Sequence, residues 1–109
     1  MSDVLGTFEQ AVLVAILSLG DEAYGRAILN EVQSRLRRDV AAGAVYATLD
    51  RLEGKGLTSS ELGAGTPERG GRPRRFYKLE GAGVKALSES RQTVENIWRG
   101  VRLPMRGRA

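Results

Sequence analysis

The chain contains no cysteine and no histidine among its 109 residues. Without cysteine it cannot form a disulfide, a thiolate nucleophile or a zinc–thiolate site. Without histidine it lacks the commonest general base and the commonest transition-metal ligand. Acidic side chains are scattered along the chain, and Ser18 and Thr48 have no histidine partner. The sequence therefore predicts a protein that is not an enzyme and that uses no metal or cofactor.

Long apolar runs are also lacking, and no stretch approaches the length that a membrane span requires. The first residues, Met1–Val4, lack the basic start and the cleavage pattern of a signal peptide. We therefore expect no membrane contact and a cytoplasmic location.

Aromatic residues make up only 6% of the chain, but an apolar content of 41% is enough for one globular helical domain with an appended element.

Positive charge exceeds negative charge only slightly, but the excess is concentrated in one segment. Lys and Arg total 17 against 13 Asp and Glu, which gives a net charge of +4. Residues 69–78 contain five cations and no acid: Arg69, Arg72, Arg74, Arg75 and Lys78. Such a cluster is typical of a surface that binds a polyanion, although a solvated charged loop would have the same composition.

Apolar residues at helical spacing predict three helices in the first half of the chain. The first is expected over Thr7–Leu19, with a capping box formed by Thr7 and Gln10. Its apolar stripe is expected to include Leu17. The second is expected to follow a cap at Asp21, and the third to run over about residues 42–55.

The second half predicts two strands, over residues 57–62 and 74–79, joined by a Gly- and Pro-rich loop. A last helix is expected from Gly81 to about Val101. The predicted fold class is mainly α with a small β-hairpin, in the order of a winged helix-turn-helix. The expected divisions are a DNA-binding domain over residues 1–80, a C-terminal dimerisation helix over 81–101 and a disordered basic tail over 102–109.

The third predicted helix has two different faces. One is a core face of Val45, Leu49 and Leu52, and the other bears Ala44, Ala47, Thr48 and Arg51. A slim face suits close approach to the major groove of DNA, where Thr48 and Arg51 can reach base edges. Neither Asp50 nor Glu53 lies at a favourable ion-pair spacing from Arg51, so we expect its guanidinium to be free.

Other DNA contacts remain open at this stage. Tyr46 lies at the flank of the third helix, where a phosphate contact and a half-buried ring with a solvated hydroxyl are equally compatible with the sequence. The predicted hairpin would add phosphate contacts from Arg69, Arg72, Arg74 and Arg75. Because strand residues alternate between faces, Arg74 and Arg75 cannot both point at DNA from a regular strand.

The last predicted helix carries an apolar seam at spacings of three and four residues. Its members are Val84, Leu87, Arg91, Val94, Trp98 and Val101, widened by Ile97. This spacing is typical of helices that pack against another helix, with Arg91 as the one charged member. We therefore expect the seam to pack on its own domain or on a second copy of the chain as a homodimer.

Five blocks of the chain, in this order, resemble the PadR family of transcriptional regulators. They are LGTFEQ (5–10), AYG (23–25), GAVYATLDRLEGKGL (43–57), ERGGRPRRFYKL (68–79) and GAG (81–83), so that the resemblance covers roughly residues 5–100. The third-helix and hairpin blocks carry most of it because both are long. With a single helix after the hairpin, the chain resembles the shorter members of the family.

The resemblance implies a winged-helix repressor that binds a palindromic operator in double-stranded DNA as a homodimer joined through its last helix. It also implies DNA contacts from the hairpin and from Tyr24, Gly25, Gly43, Ala44, Tyr46, Ala47 and Thr48. Ala47 departs from the family pattern, in which proline is common at this position.

Two alternatives accompany this interpretation. Some short relatives bind flat hydrophobic or aromatic effectors at the dimer interface, and Trp98 can line such a pocket or simply anchor the interface, which we favour. Because a fold does not fix a function, the winged helix can also serve as a protein-interaction adaptor.

Overall fold

The computed structural model describes residues 5–63 and 73–105. Their elements are α1 (Thr7–Leu19), a short 3₁₀ turn (Gly20–Glu22), α2 (Gly25–Leu36), α3 (Ala42–Gly54), β1 (Thr58–Leu62), β2 (Arg75–Leu79) and α4 (Gly81–Trp98). This order confirms the predicted fold class, mainly α with a two-stranded antiparallel hairpin. None of the helices in the described ranges is both long and apolar enough to cross a membrane.

The core lies where α1, α2 and α3 meet. Its fully buried side chains lie at helical spacing on all three: Val12, Leu13 and Ile16 on α1, Ile28 and Val32 on α2, and Val45, Leu49 and Leu52 on α3. The predicted core face of α3 is therefore confirmed. Leu17 is an exception, since its side chain is 61% exposed. The prediction that Leu17 belongs to the buried stripe was wrong, because α1 has more apolar residues than its buried face can hold.

The predicted helix caps were wrong by one or more residues. Helix α1 begins after Gly6, whose N–H donates to Oε1 of Glu9 at 3.1 Å, so Glu9 rather than Gln10 closes the first turn. Asp21 lies in the 3₁₀ turn and does not cap α2, which begins after Tyr24. Tyr24 is extended because it forms a β-bridge with Phe76, and this bridge delays the helix.

The hairpin is attached to the start of α2. In the register of β1 and β2, Ser60 pairs with Tyr77 and Leu62 with Arg75. The Tyr77 N–H also donates to the Ala23 carbonyl at 2.8 Å, next to the Tyr24–Phe76 bridge. The hairpin with its adjoining residues, 58–63 and 73–79, is called the wing; it is thus joined to the N-terminus of α2 by backbone hydrogen bonds and forms one surface with it.

Helix α4 is held to the domain mainly through the residues from Gly81 to Ser90. The Glu80 N–H donates to the Leu57 carbonyl at 2.9 Å, and Gly83 is buried against the same residue. Further along, Ser90 is buried and its Oγ accepts from the Leu5 N–H at 3.3 Å. After Ser90 no residue of α4 is buried.

The end of α4 comes earlier than predicted. The helix ends at Trp98. Gly100 has a φ of 74°, and this left-handed conformation interrupts a right-handed helix. Val101 therefore lies beyond the helix rather than in its last turn, which corrects the predicted end. Residues 102–105 of the predicted tail are exposed and carry no helix or strand, and residues 106–109 lie outside the described ranges.

Candidate nucleic-acid interface

The outer face of α3 is slim and exposed, as its sequence predicts. Gly43, Ala44 and Ala47 are exposed and carry no side chain longer than a methyl group. Tyr46 stands beside them with 43% of its surface exposed. These four residues form a continuous stretch of helix surface that can approach a partner closely, because the backbone is covered by little side-chain bulk.

Thr48 does not belong to this face, although it was predicted to reach base edges. Its side chain is only 3% exposed, and its Oγ1 accepts a hydrogen bond from Nη2 of Arg51 at 3.3 Å. Thr48 lies one helical turn after Val45 and next to Leu49, so it borders the core stripe of α3. Because its side chain is buried, Thr48 is removed from the candidate interface.

Arg51 is likewise occupied within the protein. Its Nε lies 3.5 Å from Oε2 of Glu9 on α1, and Nζ of Lys55 lies 3.4 Å from the same oxygen. The guanidinium is therefore not free, contrary to the prediction. Only acids within α3 were considered from the sequence, whereas the partner is 42 positions away and reaches Arg51 through the packing of α1 on α3.

This cluster fixes the charge of Glu9. Partial burial raises the pKa of the Glu9 carboxyl, but the Gly6 N–H and the cations Lys55 and Arg51 outweigh burial and hold the pKa below its ordinary value. One carboxylate oxygen caps α1 while the other binds two cations on α3. The cluster thus connects the start of α1 to the end of α3.

Tyr46 packs against the first residue of α2. A Cβ atom at Gly25 would lie 2.7 Å from Cε1 of Tyr46 and 3.1 Å from its hydroxyl oxygen. Only a glycine leaves room for the ring at this distance. The phenol hydroxyl is thereby held at the N-terminus of α2, where free backbone N–H groups and the helix dipole favour an anion.

Arg74 of the wing also lies at the N-terminus of α2. Its guanidinium carbon lies 4.0 Å from the centroid of the Tyr24 ring, within cation–π distance. Tyr24 in turn meets Phe76 edge to face, with ring centroids 5.8 Å apart. Since Phe76 is fixed in β2 and Tyr24 directly precedes α2, the stack holds Arg74 over the start of α2.

These groups line one shallow cleft of about 290 Å³ between α2, α3 and the wing. Its lining residues are Tyr24, Gly25, Arg26, Tyr46, Pro73, Arg74, Arg75 and Tyr77. The structure thus brings together Tyr24, Gly25, Tyr46 and Arg74, which were all predicted as DNA contacts. It adds Arg26, an exposed cation that the sequence analysis missed although it directly follows Gly25.

Arg75 also lines this cleft, but its guanidinium is linked through Ser60 to Glu53 of α3. Its Nη1 donates to Oγ of Ser60 at 3.1 Å, and Ser60 donates to Oε1 of Glu53 at 2.8 Å. Burial raises the pKa of the neighbouring Tyr77 phenol, and the negative charge of Asp50 raises it further. Tyr77 therefore stays neutral at physiological pH. The predicted contacts Arg69 and Arg72 lie outside the described residues.

The seam on α4 divides into a covered and an uncovered part. Leu87 is partly buried against the core of its own domain. Five other members are exposed in the single chain: Val84, Val94, Ile97, Trp98 and Val101. Arg91 is exposed and lies 3.7 Å from Glu95, one turn further along α4.

Comparison with known proteins identifies the family. Residues 13–89, well over half of the chain, match the model of the "Transcriptional regulator PadR-like family". The chain is 38% identical over 81 residues to the transcriptional regulator Rv3488 of Mycobacterium tuberculosis, and the match covers 74% of this chain and 71% of that protein.

Solved structures agree with this match. A PadR-like transcription factor from Bacteroides fragilis is 30% identical and superposes with a TM-score of 0.70, covering 86% of this chain and 85% of that one. A PadR-like transcriptional regulator from Bacillus cereus is 25% identical, with a TM-score of 0.66 and coverage of 87% and 94%. The fold, the motif blocks and these relatives together assign the chain to the PadR-like family of transcriptional regulators.

Proposed function

We propose that this regulator binds a palindromic operator in double-stranded DNA as a homodimer and represses transcription from it. One observation carries the proposal. The slim face of α3 lies on the same surface as the cleft in which Tyr46 packs on Gly25 and Arg74 stacks on Tyr24. A helix able to enter a groove and groups able to hold a phosphate are therefore fixed relative to each other.

In the proposed complex α3 enters the major groove, which is wide enough to admit a helix. Gly43, Ala44 and Ala47 let the backbone come close, and the two alanine methyl groups suit contact with thymine methyl groups. With Thr48 buried and Arg51 bound to Glu9, base reading depends on this close fit rather than on bidentate hydrogen bonds. We therefore expect thymine within each half-site.

Affinity comes from the phosphate backbone. The Tyr46 hydroxyl, the first N–H groups of α2 and the cations Arg26 and Arg74 can all bind phosphate oxygens from the cleft. Of the two wing arginines, Arg74 is proposed as the DNA contact, because Arg75 is engaged with Ser60 next to the acids of α3. Such contacts make binding strongly dependent on salt concentration.

Dimerisation is proposed to occur through the uncovered apolar part of the α4 seam. Val94, Ile97 and Trp98 lie after Ser90, on the part of α4 that has no buried residue in the single chain. A two-fold dimer would place two copies of α3 on successive turns of DNA, about 34–36 Å apart. Residues 1–80 would then act as the DNA-binding domain and α4 as the dimerisation element, in the cytoplasm with the DNA.

Two further hypotheses accompany this proposal: regulation by an effector and an alternative function as an adaptor. A small hydrophobic or aromatic effector at the dimer interface, next to Trp98, would regulate DNA binding if it favoured one of two dimer conformations. An adaptor that binds another protein through the same winged helix is the alternative function. It predicts a protein complex that persists in high salt and no preference for any duplex.

The deciding experiment is a titration of the protein with the duplex upstream of its own gene, at several salt concentrations and with random duplex as competitor. The proposal predicts tight binding that resists the competitor and weakens steeply as salt rises. Equal and weak binding of both duplexes would reject the operator proposal and favour the adaptor.

A further inference from the structure

The turn between α2 and α3 contains an unusual backbone conformation. Arg37, which ends α2, has φ 59° and ψ 42° and is the only non-glycine residue with a positive φ in residues 5–63 and 73–105. Glycine or asparagine is the ordinary residue at this kind of helix end, because a Cβ atom is disfavoured in the left-handed region. The chain therefore has an arginine at a position where backbone conformation alone favours a smaller residue.

Gln33 holds the turn in this conformation through both its backbone carbonyl and its side chain. The Gln33 carbonyl accepts from the N–H of Arg37 at 2.9 Å and of Arg38 at 3.3 Å. The Gln33 side-chain oxygen accepts from the Val40 N–H at 2.9 Å. These bonds fix the path of the backbone from the end of α2 to the cap of α3 at Ala41.

Two cations project from this turn. Arg37 and Arg38 are exposed, and neither forms an ion pair or side-chain hydrogen bond with the rest of the described chain. Asp39 is adjacent and exposed but pairs with neither. Arg35, two residues before Arg37, differs because its Nε lies 2.7 Å from Oε2 of Glu31.

We propose that Arg37 and Arg38 bind phosphates of the DNA strand on the opposite side of the major groove from the wing. This inference rests on the proposed function. Helix α2 has 12 residues and is therefore about 18 Å long, which exceeds the groove width of about 12 Å. Its first residue lies in the cleft with Tyr46 and Arg74, and its last residue leads into α3. The two ends of α2 can therefore face the two backbones that border the groove entered by α3.

A purely structural role for these charges makes a different prediction. A cation at a helix C-terminus stabilises the helix by its interaction with the helix dipole. Removing Arg37 would then lower the stability of the protein and leave DNA binding unaffected. The variant Arg37→Gly separates the two roles, because glycine relieves the left-handed conformation while it removes the charge.

The test compares Arg37→Gly and Arg38→Gln with the matched control Arg35→Gln, which removes one arginine charge from the same helix end. Thermal midpoints are measured for each, together with affinity for operator and random duplex at several salt concentrations. We expect Arg37→Gly to keep or raise the thermal midpoint. Each of Arg37→Gly and Arg38→Gln should weaken binding about three- to tenfold at low salt and lower the salt slope by about 0.9, equally for both duplexes.

The outcomes separate this inference from the proposed function. If wild-type protein binds DNA with a steep salt slope but Arg37→Gly and Arg38→Gln keep that slope, the inference is overturned and the operator proposal stands. A loss of slope in Arg35→Gln as large as in the two test variants would also overturn it, since the effect would then be one of net charge. Wild-type protein that binds no duplex would reject both.

Discussion

The ring of Tyr46 occupies the space that a side chain at Gly25 would need, with only 2.7 Å between Cε1 and an added Cβ atom. We expect Gly25→Ala to push the phenol out of the cleft at the start of α2 and to weaken DNA binding about tenfold, a loss of about 1.4 kcal/mol. Tyr46 is partly exposed and can rotate, so the free energy of unfolding should change little. Gly54→Ala is the control, because a Cβ there meets nothing within 4 Å. Normal DNA binding by Gly25→Ala would remove Tyr46 from the interface.

Arg74 and Arg75 are adjacent but are predicted to behave differently. Arg74→Gln removes the cation stacked on Tyr24 and should lower the salt slope of DNA binding by about 0.9. Arg75→Gln breaks the contact with Ser60 and should leave the slope nearly unchanged. Titrations of both variants over a range of salt concentrations check this, and the opposite ranking would assign the DNA contact to Arg75.

Gly83 determines how closely α4 can approach the turn before β1. A Cβ atom at this position would overlap the backbone carbonyl of Leu57, which cannot move easily because it also accepts a hydrogen bond from Glu80. Gly83→Ala should therefore destabilise the protein by about 1–3 kcal/mol in denaturant unfolding. Gly81→Ala is the matched control in the same first turn of α4. A Cβ atom at Gly81 meets open space, so this substitution should be neutral or stabilising. Equal effects of the two substitutions would contradict the close contact.

The cluster of Glu9, Arg51 and Lys55 predicts a pH-dependent contribution to stability. The folded-state pKa of Glu9 is lower than its ordinary value of 4.5, so the contribution is fully present above that value and is lost as pH falls through the folded-state pKa. Glu9→Gln retains an oxygen to cap α1 but loses the charge. Because both cations are half-exposed, we expect a loss of only about 0.5–1 kcal/mol at neutral pH.

Urea unfolding of wild-type protein and Glu9→Gln at neutral pH and at about pH 3 measures this contribution. The difference between the two proteins should shrink at the lower pH. A difference that stays constant would mean that the cap, rather than the charge, accounts for it.

The α4 seam predicts different outcomes for its two parts. Val94→Asp places a charge on an exposed position that we propose to be buried in the dimer, so it should yield a folded monomer in sedimentation or light scattering. Leu87→Asp should instead lower the stability of the domain itself, because Leu87 packs against the core. A Val94→Asp protein that remains dimeric would place the dimer interface elsewhere.

The fold could be predicted from the sequence because it depends on local patterns. The apolar stripe of Val45, Leu49 and Leu52 identified the core face of α3, and the alternating segment before Leu79 identified the second strand. The slim outer face of Ala44 and Ala47 followed from the same helical spacing. Such patterns are visible in one chain because helices and strands repeat with fixed periods.

Tertiary structure decided which polar side chains have partners within the protein and which are available to bind DNA. Arg51 is paired because α1 packs on α3 and brings Glu9 to it, and Arg51 in turn donates to the buried Thr48. Tyr24 is extended rather than helical because β2 pairs with it. Charge, size and spacing along the chain thus determined which elements form and which faces are apolar. Which arginines have partners within the protein depended on contacts between residues far apart in sequence, and these arise only when the elements pack.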